Sequence, residues 1–462
     1  MKSLVITLIP LIGSLCLAAA DVVHIPLYYR ESARSRMMRK GTWTEYMRRR
    51  DMARVFNLAT TGSQILKDYS DVSYESIVGL GTPPQNFKVI PDTGSANLWV
   101  VSTLCGDNPI CSSSDCEGLL CNFLSKCYRA QCQCSGNGIR RTFWHKANRF
   151  GANPCSGKAH YNSSASSTYQ TNGLSWSIQY GTGSATGVLG SDMLTLTGSS
   201  IPPVRVTFGL ANHIAQFFAD VPIDGIMGMA YQTIAVDSVP PPFYALVNAG
   251  ILASPVFTFF LVELPGNSQG QKGGVLTWGG TNPQNCSSSI SYVPLTADTY
   301  YQFIFTKWSV KKANGQEVSG TGPSIAGGAW QAIFDTGTSL FAGPQGDIAR
   351  MARALGGQFD QSVGLYSIDC NPNPMPNPIV LKIGGKNYMI KPKNYILPMG
   401  SQAPNNKCYL AIQGFPGGGF PAPSWIFGDT FLREYCATFD PFYRAGAGFQ
   451  NGRVGFAETI KS

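Results

Sequence analysis

The sequence predicts an all-β protein built from two lobes, and three observations support this prediction. The chain has 462 residues, about twice the size at which one hydrophobic core usually stops growing. Hydrophobic residues make up 44% of the chain and charged residues only 13%, which favours large cores over disorder. The 51 glycines and 30 prolines are typical of many short strands joined by tight turns.

The first twenty residues have the pattern of a secretory signal peptide. Lys2 precedes an apolar run over residues 4–17, and three alanines at 18–20 supply a small-residue cleavage site. Removal of Cys16 from the 13 cysteines leaves an even set that can pair in an oxidising compartment. Because no other apolar run approaches the length of a membrane span, we expect no membrane anchor. The sequence therefore predicts an exported protein, secreted or lysosomal.

Residues 21–61 form a basic segment, with nine basic and four acidic side chains. A charge block of this kind is usually a solvated tail or a nucleic-acid patch. Since export makes nucleic acid an unsuitable partner, we expect no nucleic-acid binding. The segment is instead expected to have an acidic partner within the same chain.

Beyond residue 61 the chain consists of short apolar stretches bounded by Gly, Pro, Asn and Ser. Stretches at 76–80, 87–90 and 98–101 predict strands. Helical periodicity is scarce, and the candidates are residues 241–249 and 347–355. We place the N-terminal lobe at 62–280 and the C-terminal lobe at 281–462.

A weak internal repeat relates the two predicted lobes. The sequence Asp-Thr-Gly followed by Ser or Thr occurs after an apolar stretch at Asp92 and again at Asp335. An apolar pair before glycine follows each copy, at residues 226–228 and 426–428. Each lobe therefore contributes one aspartate on a tight turn.

Two such turns facing each other would create a pair of carboxyl groups. Because like charges at short range cannot both ionise cheaply, Asp92 and Asp335 are expected to share one proton. The pair would then hold an acid and a base at once and activate a water molecule. A single Asp-Thr-Gly is a weak motif that usually marks an ordinary turn, whereas two copies with matching flanks favour catalysis.

These motifs resemble those of the pepsin-like aspartic proteases, the family of pepsin and cathepsin D, over residues 22–458. The segments 180–184, 224–228 and 425–431 add to the resemblance. It implies a bilobal pepsin-like fold with a cleft between the lobes. It also implies an aspartic endopeptidase that cleaves next to bulky apolar residues at acidic pH, acts as a monomer, and needs no metal or cofactor.

The resemblance also assigns roles to residues around the two aspartates. Ser95 and Thr338 would orient the carboxyl groups, within turns completed by Thr93, Gly94, Thr336 and Gly337. A flap over the cleft would carry Tyr180, Gly181 and Thr182, with Tyr180 hydrogen-bonded to Trp99. The residues implied to line substrate pockets are Ile90, Phe217, Phe218, Ile226 and Ile333, each of which could equally be a core residue.

The basic segment resembles the family's propeptide, which implies a zymogen inhibited by residues 21–61. Arg54 falls where pepsinogens place a lysine on the catalytic carboxyl groups. Pro91 is a departure from the family, which usually has an apolar residue with a backbone N–H at this position. Proline lacks that N–H and so removes one possible ladder hydrogen bond beside the catalytic turn.

A cysteine-rich insertion at residues 105–158 is a second departure, since pepsins have a short loop closed by one bridge. Close cysteine spacing near His145 and His160 allows a zinc site, but disulfide bonds are more typical of an exported protein. The eight cysteines of the insertion are Cys105, Cys111, Cys116, Cys121, Cys127, Cys132, Cys134 and Cys155.

The four remaining cysteines divide by resemblance into Cys370 with Cys408, which leaves Cys286 with Cys436. Asn162 and Asn285 fit the N-glycosylation pattern. Two other function classes remain open. A serine or cysteine hydrolase is disfavoured, because the four histidines accompany no nucleophile motif. A catalytically inactive, secreted peptide-binding homologue is the more serious alternative.

Overall fold

The structure is a computed structural model that describes residues 21–31, 33–43, 72–106, 153–180, 183–262, 270–323, 327–398, 407–415, 424–444 and 448–460. Several predictions fall outside these residues. They are the signal peptide, Arg54, the two flap residues Gly181 and Thr182, and Cys111, Cys116, Cys121, Cys127, Cys132 and Cys134.

Strands dominate the described residues, which confirms the all-β prediction. The strands in chain order are β1 (Val23–Glu31), β2 (Val72–Leu80), β3 (Gln85–Asp92), β4 (Leu98–Val101), β5 (Gln170–Gln179), β6 (Ser184–Leu196), β7 (Val204–Ile214), β8 (Gly225–Gly228), β9 (Phe257–Leu261), β10 (Lys272–Trp278), β11 (Ser291–Pro294), β12 (Ala297–Asp298), β13 (Tyr301–Lys311), β14 (Glu317–Thr321), β15 (Trp330–Phe334), β16 (Phe341–Pro344), β17 (Gln358–Asp360), β18 (Leu365–Asp369), β19 (Ile379–Ile383), β20 (Lys386–Ile390), β21 (Ile396–Leu397), β22 (Lys407–Leu410), β23 (Ile412–Phe415), β24 (Trp425–Phe427), β25 (Tyr435–Asp440), β26 (Tyr443–Arg444), β27 (Gly448–Phe449) and β28 (Arg453–Glu458).

Helices are few and short. The α-helices are α1 (Ala33–Arg39), α2 (Pro242–Asn248), α3 (Gln345–Ala354), α4 (Pro392–Tyr395) and α5 (Asp429–Leu432). Single 3₁₀ turns lie at Ser163–Ala165, Gln216–Asp220, Gln232–Ile234 and Val236–Ser238. The two helices expected from sequence appear as α2, which begins with proline at its first turn, and α3.

The larger sheet has 13 strands in the order β11-β28-β25-β9-β10-β1-β2-β3-β8-β4-β7-β6-β5. It crosses the predicted lobe boundary at residue 280, since β11, β25 and β28 come from the C-terminal part of the chain. Strand β1, from the basic segment, lies in its middle and pairs antiparallel with both β10 and β2.

A second sheet of nine strands belongs to the C-terminal lobe, with the path β20-β19-β13-β15-β24-β16-β23 and with β12 and β14 paired to β13. Phe303 and Phe334 stack in its core with ring centroids 4.2 Å apart. Because Phe334 directly precedes Asp335, this packing fixes the strand end that carries the second aspartate.

Among the described residues, no helix combines the length and apolar character needed to cross a membrane.

Candidate active site

Each lobe presents its aspartate at the end of a buried strand. In the N-terminal lobe, β3 pairs in parallel with β8, and β4 pairs antiparallel with β8 and in parallel with β7. In the C-terminal lobe, β15 pairs in parallel with β24, and β16 pairs antiparallel with β24 and in parallel with β23. The same strand arrangement therefore surrounds Asp92 and Asp335, as the internal sequence repeat indicates.

The hydrogen bonds around the two aspartates match one for one. Asp92 accepts from the Gly94 N–H at 2.8 Å and from the Ser95 hydroxyl at 2.5 Å. Asp335 accepts from the Gly337 N–H at 2.9 Å and from the Thr338 hydroxyl at 2.6 Å. In each lobe one carboxyl oxygen is bound by a backbone donor and the other by a hydroxyl group, which orients the carboxyl plane.

The two carboxyl groups face each other and are hydrogen-bonded to one another. A side chain on Gly94 would run into the Asp335 carboxylate, and one on Gly337 would run into that of Asp92. Glycine at these two turn positions is therefore what allows the carboxyl groups to approach.

Thr93 and Thr336 join the two turns. The Thr93 N–H donates to the Thr336 hydroxyl oxygen at 3.0 Å, and the Thr336 N–H donates to that of Thr93 at 3.0 Å. Their hydroxyl groups in turn donate to the Phe334 and Pro91 carbonyl oxygens at 2.9 and 2.7 Å. The lobes are thus locked together directly beneath the carboxyl pair.

Burial and mutual repulsion shape the protonation of the pair. Burial first, and then the negative charge of Asp335, raise the pKa of Asp92 well above its usual value. Burial also raises the pKa of Asp335, although the hydrogen bond from Thr338 opposes this shift. The arrangement favours a single shared proton, which gives the pair an acid and a base side by side.

The proposed flap lies in the hairpin between β5 and β6. Tyr180 is buried, and its hydroxyl oxygen accepts a hydrogen bond from the Trp99 indole N–H at 2.8 Å. The Tyr180 N–H donates to the Gly183 carbonyl oxygen at 2.7 Å across the hairpin. The structure therefore contains the contact between these two residues that the resemblance implied.

The residues named as pocket candidates separate into two groups. Ile90, Phe217, Phe218 and Ile226 are buried in one apolar cluster that also contains Trp99 and Tyr180. Ile333 lies in another cluster, with Ala342 and Ile426. The pocket candidates therefore belong to two separate apolar clusters.

Tyr300 is a site residue that the sequence did not reveal. It packs against the cluster of Ile333. Burial, followed by the charges of Asp335 and Asp92, raises its pKa to about 12. Its phenol therefore stays protonated near the carboxyl pair. No motif surrounds Tyr300 in the sequence, so only the fold places it here.

Pro91 keeps its place in the strand ladder. It is paired with Met227 in the parallel register of β3 and β8. The antiparallel ladder between β2 and β3 ends at the pair Ser76 and Val89, before proline is reached. The missing N–H therefore shifts neither strand register beside the turn that carries Asp92.

The segment 33–43 contacts residues of both lobes. Met37 and Trp43 are buried in the apolar cluster of Phe217 and Phe218, and α1 packs against the 3₁₀ turn Gln216–Asp220 of the N-terminal lobe. On the other side, the Trp43 indole N–H donates to the Val363 carbonyl oxygen at 3.0 Å. Residues of the basic segment thus bridge the two lobes.

Strand β1 is anchored by a buried ion pair. The Arg30 guanidinium donates to the Glu75 carboxylate at 2.5 Å, and the Glu75 side chain is 1% exposed against 21% for Arg30. The basic segment was expected to meet an acidic partner, and here one of its arginines does so.

Three disulfide bonds join described cysteines: Cys105 with Cys155, Cys286 with Cys436, and Cys370 with Cys408. The first closes the base of the insertion. Because Cys105 and Cys155 are bonded to each other, neither is available as a zinc thiolate. Within the described ranges, no cluster of three or more His, Cys, Asp or Glu side chains is arranged to hold a metal.

The two candidate glycosylation sites differ in exposure. Asn162 is exposed, and its side-chain oxygen accepts from the Ser164 N–H at 3.0 Å. The Asn285 amide nitrogen instead donates to the Asn282 side-chain oxygen at 3.1 Å. The residue after Asn285 is the buried, disulfide-bonded Cys286.

Comparisons with known proteins agree with this geometry. A sequence model of the family described as eukaryotic aspartyl protease matches residues 73–459. The chain is 34% identical to aspartic protease 2 of Necator americanus, with 98% of each chain covered. It is 30% identical to cathepsin D of Dictyostelium discoideum over the whole of both chains, and 31% identical to gastricsin of Callithrix jacchus over 96% of each.

Proposed function

Because the chain belongs to the eukaryotic aspartyl protease family and is a pepsin-like aspartic endopeptidase, we propose that it is made as a zymogen that hydrolyses peptide bonds at acidic pH. The single observation that carries the catalytic part is the carboxyl pair of Asp92 and Asp335, buried, hydrogen-bonded to each other and matched in their donors. We assign catalysis to these two residues.

In this mechanism a water molecule binds between the two carboxyl groups and attacks the peptide carbonyl carbon. The ionised carboxylate accepts a proton from that water, while the protonated carboxyl group donates to the carbonyl oxygen. The raised pKa of Asp92 suits the protonated role. Burial raises the pKa of Asp335 too, but there the hydrogen bond with Asp92 lowers the pKa, which suits the ionised role.

Inhibition of the zymogen is proposed to come from residues 21–61. This proposal is supported by strand β1 in the middle of the larger sheet and by the packing of Met37 and Trp43 against the cluster of Phe217 and Phe218. Acid would weaken the ion pairs that hold the segment, and the segment would then loosen and be cleaved. Arg54 remains a proposed contact of the carboxyl pair, outside the described residues.

Substrates are proposed to be extended peptides bound between the flap and the carboxyl pair, with bulky apolar side chains next to the cleaved bond. The two apolar clusters support this preference. Tyr180 and Trp99 would hold the flap over the peptide. We further propose that the enzyme is a monomer whose partners are its substrates and its own propeptide.

The disulfide bonds support passage through the secretory pathway, towards secretion or the lysosome. Asn162 is the proposed glycan acceptor, since it is exposed. Asn285 is the weaker candidate, because its amide is hydrogen-bonded and its neighbour is buried.

Acidification of the purified zymogen tests this proposal. We expect no cleavage of a protein substrate at neutral pH, and cleavage after acidification that a transition-state-mimicking peptide inhibitor blocks. N-terminal sequencing should then show loss of residues 21–61. Tight inhibitor binding without any cleavage would instead support the alternative of an inactive peptide-binding homologue.

A further inference from the structure

Lys158 lies at the base of the cysteine-rich insertion, three residues after the disulfide-bonded Cys155. Its ammonium group donates to the Val221 carbonyl oxygen at 2.8 Å and to the Ile223 carbonyl oxygen at 2.7 Å. Both acceptors belong to the irregular stretch 221–224, between a 3₁₀ turn and β8. A single partly buried side chain therefore binds this stretch at two points.

The stretch 221–224 is packed with two of the pocket candidates. Val221 and Ile223 are buried in the same apolar cluster as Phe217 and Phe218. The Val221 N–H also donates to the Phe218 carbonyl oxygen at 3.3 Å, so the stretch and the turn that carries both phenylalanines are joined through the backbone. The position of the two aromatic side chains therefore depends on the carbonyl groups that Lys158 binds.

The backbone on both sides of Lys158 is fixed. Cys105 and Cys155 are bonded to each other and are buried in the same apolar cluster. The Ala159 N–H donates to the Asp224 carboxylate at 2.8 Å, at the end of the stretch 221–224. A long, flexible side chain can hold its acceptors in place only if its own backbone is held, and this condition is met here.

The ammonium group contributes hydrogen bonds at a cost in solvation. Burial lowers the pKa of Lys158 to about 8, the charge of Asp224 opposes this shift, and the charge of Arg36 adds to it. Because this pKa lies well above the acidic range, the side chain is protonated there and has all three of its N–H donors. An apolar side chain of similar length would avoid the burial of a cation, but it would leave both carbonyl oxygens without this donor.

We propose that Lys158 is a positioning residue, which holds Phe217 and Phe218 where they accept a bulky apolar side chain next to the cleaved bond. The inference rests on the proposed function, because it takes these two phenylalanines as part of a substrate pocket. Lys158 acts through the backbone of the stretch 221–224 and not through contact with the substrate. The base of the insertion thereby takes part in substrate selection, in addition to closing a loop.

Paired peptide substrates test this role. A peptide is made with either phenylalanine or alanine at each of the two positions that flank the cleaved bond. The kcat/KM ratio of phenylalanine to alanine is measured at acidic pH with activated enzyme, whose active sites are counted with a tight-binding peptide inhibitor. At one of the two positions, Lys158→Met should lower this ratio about tenfold, the size of the contribution from burying one large apolar side chain. A merely structural role would lower both rates alike and leave the ratio unchanged.

A second variant and a control complete the experiment. Lys158→Gln keeps N–H donors on a shorter side chain and should lower the ratio less; it carries the test if Lys158→Met does not fold. Lys88→Met is the control, because Lys88 is exposed and binds the Asp224 carboxylate through its backbone N–H, which the substitution keeps. The control should have the wild-type ratio.

Amide hydrogen exchange in the full-length chain gives a readout that does not depend on cleavage. The Val221 amide should exchange faster in both Lys158 variants than in the wild type and the control. A phenylalanine-to-alanine ratio that is unchanged at both positions in the Lys158 variants would overturn the inference, and so would an equal fall in Lys88→Met. Failure of the wild-type enzyme to cleave any of the peptides would instead contradict the proposed function, and the exchange rates would still show whether Lys158 holds the stretch.

Discussion

Thr93 and Thr336 hydrogen-bond each other twice, each N–H donating to the other's hydroxyl oxygen at 3.0 Å. They lie directly after Asp92 and Asp335 in the chain, so the same two bonds that join the lobes also fix the spacing of the carboxyl groups. Both residues are buried, with exposed fractions of 0% and 4%. Replacing only one of the two threonines by an apolar residue would leave the hydrogen-bonding groups of the other buried and unsatisfied, which lowers stability.

Thr336→Val should therefore lower both stability and activity. The variant keeps the shape of the side chain but loses the donor to Pro91 and the acceptor for Thr93. We expect the free energy of unfolding to fall by about 1–3 kcal/mol and kcat to fall with it. Thr336→Ser, which keeps the hydroxyl group, is the control. Equal stability of the two variants in denaturant unfolding would contradict the argument.

Ser95→Ala and Thr338→Ala should shift opposite limbs of the pH profile of kcat/KM. The Ser95 hydroxyl lowers the pKa of Asp92, so its loss raises that pKa and moves the alkaline limb to higher pH. The Thr338 hydroxyl lowers the pKa of Asp335, so its loss raises that pKa and moves the acid limb to higher pH. A shift of the same limb in both variants would show that the two carboxyl groups do not have separate roles.

Arg30→Met should weaken the docking of the basic segment in the full-length chain. Its removal leaves the buried Glu75 carboxylate without this partner, a change that typically costs about 3–5 kcal/mol. Faster hydrogen exchange of the β1 amides at neutral pH is expected, with a lower Tm. Arg39→Met is the matched control. Arg39 also forms an ion pair, with Glu31, but its side chain is 40% exposed. Exposed ion pairs contribute little to stability, so equal effects of the two substitutions would exclude the proposed anchor.

Tyr180→Phe should lower kcat/KM by loosening the proposed flap, and Trp99→Phe should do the same. Each removes one end of a single buried hydrogen bond of 2.8 Å. The double variant is expected to be little worse than either single one, with a coupling energy of about 0.5–1.5 kcal/mol. If the effects of the two substitutions on the free energy of activation simply added in the double variant, the hydrogen bond would not contribute to binding or catalysis.

The strand positions near the carboxyl pair could be predicted because they depend on local sequence. Apolar residues before a tight Asp-Thr-Gly turn specify a buried strand end at each aspartate, and the repetition of this pattern specifies two related lobes. Strand β1 was missed, although Val23, Ile25, Leu27 and Tyr29 alternate at buried positions. The excess of basic side chains in residues 21–61 is typical of a solvated tail and hides this period-two signal.

The contacts of the segment 33–43 with the C-terminal lobe could not be predicted, because they join residues far apart in the chain. Arg34 and Gln413 are separated by 379 positions, and Trp43 and Val363 by 320. Neither glutamine nor a backbone carbonyl forms a motif by itself. Tyr300 was missed for the same reason, since its proximity to the aspartates arises from sheet packing alone.

The central claim is that Asp92 and Asp335 together carry out peptide hydrolysis. Its most direct test is the cleavage rate of an apolar peptide at acidic pH by activated Asp92→Asn and Asp335→Asn enzymes, with Asp237→Asn at an exposed position as control. The account predicts that each active-site variant keeps the wild-type Tm and loses about a thousandfold or more in kcat, while the control retains full activity. Cleavage at the wild-type rate by either active-site variant would contradict it.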